Sequence, residues 1–243
     1  MPERITQTWV YLSATPLFWL TMTLVAYQIA HWIYRRCGAH PIANPVLIAV
    51  VLLLVLLTLT GTPYDTYFSG AQFVHFLLGP ATVALAIPLY GQFQRLVGLA
   101  GPLLIALVGG SLTAMLSAVF VGHWLGGSLP TLLSLAPKSV TTPIAMGIAE
   151  RIGGHPSLAA VMVIATGILG AITAQTLFRW LKIKDDAVGG FALGVAAHGI
   201  GTARAFQVSE TMGAFAALGM GLNGLLTAVS LPSLMQWLKP LLQ

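Results

Sequence analysis

The sequence predicts an all-α polytopic membrane protein, with about 7–8 membrane segments in two inverted repeats, discontinuous helices and one re-entrant segment. Three observations lead there. The 243 residues are 57% hydrophobic and only 7% charged, with a mean hydropathy of +0.87, far from the roughly one-quarter charged composition of soluble domains. Three of the apolar runs contain residues that break helices. The basic residues cluster between runs, where they act as orientation signals.

A spanning helix needs about 20 mostly apolar residues. The chain offers such stretches at 16–34, 45–60, 71–90, 96–121, 127–150, 157–179, 187–207 and 212–238. Together they make residues 1–243 a single transmembrane domain with no room for a soluble one. The first run, Leu17 to Tyr34, is too long and wrongly flanked for a cleaved leader, so residue 1 is read as the start.

The interruptions come next. The third segment carries Gly79-Pro80 and Pro88, the fifth carries Pro137-Lys138-Ser139-Val140-Thr141-Thr142-Pro143-Ile144-Ala145, and the seventh carries Gly194, His198, Gly199 and Gly201. Proline removes a backbone donor and stops a helix, and non-helical backbone at membrane depth survives only where protein or a water-filled cavity satisfies it. Three broken segments therefore predict a lined cavity.

A shift of 115 residues places Phe76-Leu77-Leu78-Gly79-Pro80-Ala81 on Phe191-Ala192-Leu193-Gly194-Val195-Ala196. The same shift maps segments two to four onto six to eight, giving repeats at about 45–121 and 157–238 around a central stretch at 127–150. Arg35, Arg36 and Arg95 favour the cytoplasm, which puts the N-terminus outside. If segment five enters and leaves on the outer side, Arg179, Lys182, Lys184 and Lys239 all return to the cytoplasm, the C-terminus with them. An odd number of spans then separates the halves and inverts them.

Lys138 is the first candidate for chemistry. A cation at the turn of a re-entrant segment, beside the Ser139, Thr141 and Thr142 hydroxyls and a half-helix N-terminus, suits a small carboxylate. The plain alternative is an interfacial loop whose lysine snorkels to headgroups. His198 could shuttle a proton and Thr202 lies one turn on; Arg204 could clamp a carboxylate or simply end a helix near Glu210. Pro80 and Thr82 occupy the place of Val195 and Ala197 in the other repeat, as ligand contacts or as a proline kink with its freed carbonyls met by Thr82. Tyr64, Asp65 and Tyr67 read as an outer loop with interfacial aromatics. Gly213, Ala217 and Gly221 form a small-residue face that suits a tight bundle or a homo-oligomer.

Other classes find no support. No nucleophile elbow, phosphate-binding glycine loop or paired metal-ligand spacing occurs, so no enzyme, cofactor or metal is expected. The isoelectric point near 9.7 reflects loop arginines and lysines rather than a nucleic-acid patch. Cys37 is the only cysteine.

The fifth-segment motif, Leu78-Gly79-Pro80-Ala81-Thr82-Val83-Ala84-Leu85-Ala86 and Ala196-Ala197-His198-Gly199-Ile200-Gly201-Thr202-Ala203 together resemble the LrgB/CidB family of bacterial inner-membrane proteins. The resemblance covers nearly the whole chain beyond the first segment. It implies a carrier of small monocarboxylates, of the pyruvate, glycolate or glycerate class. The alternative it implies is a holin- or antiholin-like modulator of murein hydrolase export and autolysis with no solute transport of its own. It also implies a small LrgA/CidA-type membrane partner, fused at the N-terminus in plastid relatives. No such half precedes segment one, so a bacterial protein working with a partner is expected.

Overall fold

The computed structural model describes residues 15–40 and 43–242. These residues are helical, and no strand occurs among them. The order is α1 (Pro16–Arg36), α2 (Pro45–Thr60), α3 (Tyr64–Phe76), α4 (Leu78–Ala84), α5 (Ala86–Gly91), α6 (Phe93–Trp124), α7 (Leu129–Leu135), α8 (Thr142–Ile152), α9 (Pro156–Trp180), α10 (Asp186–Phe206) and α11 (Glu210–Leu238), then a 3₁₀ turn at Lys239–Leu241. Among the described residues four helical runs are long and apolar enough to cross a membrane: Tyr64–Gly91, Phe93–Trp124, Pro156–Trp180 and Glu210–Leu241. The protein is an all-helical membrane protein. It packs as two compact units that divide between Ala84 and Leu85.

In the first unit α1 packs on α2 and α3. Asn44 caps α2 by accepting hydrogen bonds from the Val46 and Leu47 amides at 2.9 and 3.2 Å. Gly70 lets α3 approach α1 closely, because a Cβ there would lie 2.0 Å from the Pro16 carbonyl oxygen. Trp19 is fully buried and meets the Tyr67 ring edge-on at 5.9 Å. Tyr64, Asp65 and Tyr67 are thus the first turn of a helix rather than an outer loop, and Tyr67 is a packing residue.

The second unit is framed by three long helices. α6 and α11 are parallel: Leu99, Leu103 and Leu107 meet Phe215 and Leu218, Ser111 meets Asn223, and Met115 and Val119 meet Leu231 and Met235. α9 runs the other way, since Val163 and Gly167 reach His198 while Phe178 reaches Gly189.

Two helical hairpins fill the space between these helices. The first is α7 and α8. Leu132 and Ile152 join one cluster with Met235 and Leu242 near the end of α11, whereas Ser139 and Ile144 lie beside Asn223 and Gly224 in its middle. Both legs therefore begin and finish at the end of the unit where α11 stops. The Lys239 ammonium donates to the Ile152 carbonyl there at 2.8 Å.

The second hairpin is α10, whose 21 residues have the length of a span. Its backbone is non-helical at Ala197 and at His198, where φ is 41° and ψ is −134°, and the chain turns back. Residues 186–196 run parallel to α11, with Gly190 on Met212 and Gly194 on Ala216. Residues 199–206 run antiparallel to it, with Gly199 on Met220 and Phe206 on Gly213. Ser209 closes the base by donating to Asp186 at 2.6 Å.

Two expectations change. Of the predicted Gly213, Ala217 and Gly221 face, Gly213 admits α10, since a Cβ there would lie 2.2 Å from the Phe206 ring, whereas a Cβ at Gly221 would touch nothing within 4 Å; Met212, Ala216 and Gly219 complete the seam. The fifth segment and the seventh both fold into hairpins, and these enter the unit from opposite ends. Because the seventh folds back, Lys239 lies at the end opposite Arg95, which pairs with Asp185 at 2.8 Å, rather than beside the basic cluster.

Candidate functional site

The two hairpins approach from opposite ends, and their tips meet at Asn223. This side chain is 1% exposed. Its amide nitrogen donates to the Ser139 carbonyl of the first tip and the Val195 carbonyl of the second, each at 3.1 Å. Its amide oxygen accepts from Ser111 and, at 3.4 Å, from Thr227. Helix breaks leave carbonyls without partners, and a buried one is costly. Asn223 satisfies one at each break.

The predicted residues of the fifth segment gather at the first tip. Lys138 is half-buried and donates to the Ser139 hydroxyl at 3.3 Å. Thr141 is the N-cap of α8, extended at φ −67° and ψ 151°, and its side chain makes no capping bond. Thr142 opens the helix and is half-buried. The start of α8 thus offers amide groups and a partial positive charge toward the middle of the unit.

At the second tip His198 is 4% exposed and its Nε2 donates to the Val163 carbonyl at 2.9 Å. A carbonyl only accepts, so Nε2 carries the proton and Nδ1 is left as an acceptor in the neutral ring. Thr202 donates to the His198 carbonyl at 2.8 Å and contacts the Met220 sulfur at 3.8 Å. Gly167 and Gly170 of α9 make room for the turn, since Cβ atoms there would lie 2.8 Å from the His198 ring and 2.5 Å from the Ala197 methyl.

Lys138, Ser139, Thr141 and Thr142 thus lie at the first tip and His198 and Thr202 at the second, and the two tips are joined through Asn223. Arg204 is separate: it is buried at the base of the second hairpin and donates to Gln207 at 2.9 Å, two turns from the tip. Pro80 belongs to α4 of the first unit, where it is exposed, and the Thr82 side chain lies outside the described residues. Glu3 and Arg4 lie outside them too. Among the described residues no three of His, Cys, Asp and Glu come together as metal ligands.

Asn223 was not singled out by the sequence reading. Its signal was present: it is the one side-chain amide between Gly213 and Leu234 in an otherwise apolar helix.

The family model described as LrgB-like family matches residues 23–237. "Uncharacterized protein YwbG" of Bacillus subtilis (strain 168) is 36% identical over 219 residues, covering 90% of this chain and 97% of the relative. "Uncharacterized protein YxaC" of the same strain is 34% identical, covering 90% and 94%. "Antiholin-like protein LrgB" of Bacillus cereus (strain B4264) is 30% identical over 226 residues, covering 93% and 98%. No solved structure matches the chain.

Proposed function

The chain belongs to the LrgB-like family, and we propose that it is an inner-membrane carrier of small monocarboxylates, of the pyruvate, glycolate or glycerate class, working with a small LrgA/CidA-type partner. The observation that carries this reading is the meeting of two hairpin tips at Asn223, which holds the Ser139 carbonyl of one, next in sequence to Lys138, and the Val195 carbonyl of the other. Broken helices that meet in mid-membrane suit a solute that must be held there and released to either side. A helix N-terminus and an ammonium suit its carboxylate.

In this reading both hairpins are re-entrant, and α6, α9 and α11 are the spans of the second unit. Arg95, Arg179, Lys182 and Lys184 face the cytoplasm. The end that holds Lys239 then faces outward, in place of the cytoplasmic C-terminus expected from loop charge. The N-terminus stays outside. Segments two to four as a first repeat stand as part of the same proposal. Arg204 acts at the base of the second hairpin rather than on the ligand.

Binding of labelled pyruvate and glycolate to the purified protein tests the site. Lys138→Ala should weaken binding by about 10–100-fold, the worth of a charged hydrogen bond. Arg151→Gln, exposed at the far end of the same hairpin, should leave it unchanged. Equal binding by Lys138→Ala would remove Lys138 from the site.

A second reading follows from relatives that are called antiholin-like. There the chain modulates autolysis and carries no solute. It predicts that Lys138→Ala leaves the effect on lysis intact, whereas the carrier reading ties the two together.

A further inference from the structure

The carboxylate reading uses the amino ends of the broken helices and leaves their carbonyl ends to Asn223. We infer that this junction is a binding site for a monovalent cation of the sodium class, formed when the Asn223 amide turns over. The inference rests on the carrier reading for its role in transport, but not for its chemistry.

The geometry allows the turn without loss of hydrogen bonds on one side of the amide. Ser111 and Thr227 now donate to the Asn223 oxygen. A hydroxyl also accepts, so both can take the amide N–H groups instead. On the other side the amide oxygen would then face the Ser139 and Val195 carbonyls, which now accept from the nitrogen at 3.1 Å each. Three oxygens would converge on one buried point, an all-acceptor shell that suits a cation.

The chemistry selects the class of ion. All three oxygens are neutral, whereas calcium and magnesium sites draw on carboxylates; no Asp or Glu lies in the chain between Glu150 and Asp185 or between Asp186 and Glu210. The Val195 carbonyl closes residues 186–196 and the Ser139 carbonyl follows α7, so the ion sits at the negative ends of helical segments. Unwound carbonyls of this kind are a recurring means of holding a coupling ion in carriers with broken helices. The charged group facing the site is Lys138, next in sequence to Ser139 and bonded to its hydroxyl, and His198 follows on the other tip. A carboxylate on Lys138 would offset that charge, so cation and carboxylate should strengthen each other's binding.

The test is thermal unfolding of the full-length purified protein in sodium, potassium and choline chloride at equal ionic strength, with and without pyruvate. Sodium at about ten times its dissociation constant should raise Tm by roughly 3–5 °C over choline, and pyruvate should lower the sodium concentration needed. Asn223→Asp should lower that concentration further, because a carboxylate replaces the amide. Ser111→Ala with Thr227→Val should raise it, because the turned amide loses its acceptors. Equal Tm in all three salts for the wild-type protein, with or without pyruvate, would overturn the site. A sodium shift that pyruvate does not alter would keep the cation site and count against the carboxylate at Lys138, so the two failures are distinct.

Discussion

Ser209 donates a hydrogen bond to Asp186 at 2.6 Å, although a helix of 21 residues lies between them in sequence. A continuous α-helix of that length would hold its ends about 30 Å apart. The bond exists because the chain reverses at His198, and it places both ends of α10 on one side of the unit.

The first prediction concerns that reversal. Asp186→Cys with Ser209→Cys, in a Cys37→Ser background, should form a disulfide within one chain under mild oxidation. The bond should be read as a shift on a non-reducing gel after cleavage between the two positions. A spanning α10 would leave these cysteines on opposite faces and unlinked.

The second concerns close packing of the hairpin on α11. A Cβ at Gly194 would lie 2.0 Å from the Ala216 carbonyl oxygen, while one at Gly221 would meet nothing within 4 Å. Gly194→Ala should therefore destabilise by about 1–3 kcal/mol or more, as overpacking against backbone does. Gly221→Ala should be neutral or stabilising by about 0.5–1 kcal/mol. Unfolding of the two variants in detergent checks both signs together.

The third concerns strain at the turn. His198 has φ of 41°, a region that costs a non-glycine residue about 1–3 kcal/mol. In a helix interior alanine is normally preferred to glycine. At position 198 the order should reverse, with His198→Gly more stable than His198→Ala by about 1 kcal/mol, as measured by Tm. The normal order would mean that the backbone there is helical.

The fourth concerns pH. Loss of some hydrating water works to raise the Asp185 carboxyl, but the Ala187 and Val188 amides and the Arg95 guanidinium outweigh it and hold its pKa below the usual carboxylate value. A lowered folded pKa gives stability that is present above the unfolded value of about 3.9 and lost as pH falls through the folded one. The pair is exposed, so solvent screening keeps its worth below about 1 kcal/mol. Asp185→Asn, which retains a capping side chain, should lower Tm slightly at neutral pH, and the difference from wild type should shrink below about pH 4.

Much of this arrangement was legible in the residues. Pro137, Lys138 and Pro143 cannot sit in a plain apolar helix, so the first break announced itself. The second was half hidden. Residues 187–207 have the length and apolarity of a span, and glycines beside His198 suggested a kink. Reversal needs a positive φ at His198 itself, a residue type that gives no warning of it. That missed turn also misplaced Lys239, because a seventh segment that folds back reverses the direction of α11. Asn223 escaped notice because an amide in an apolar helix ordinarily reads as interhelical glue. Its importance comes from where two other segments end, which spacing along α11 does not encode.

The most direct measurement is uptake of labelled pyruvate into proteoliposomes that contain the chain, with and without an LrgA-type partner. Saturable uptake that Lys138→Ala abolishes and Arg151→Gln preserves is the predicted result. Absence of uptake in every arrangement, or uptake unchanged in Lys138→Ala, would contradict a carboxylate site at the meeting of the two hairpins.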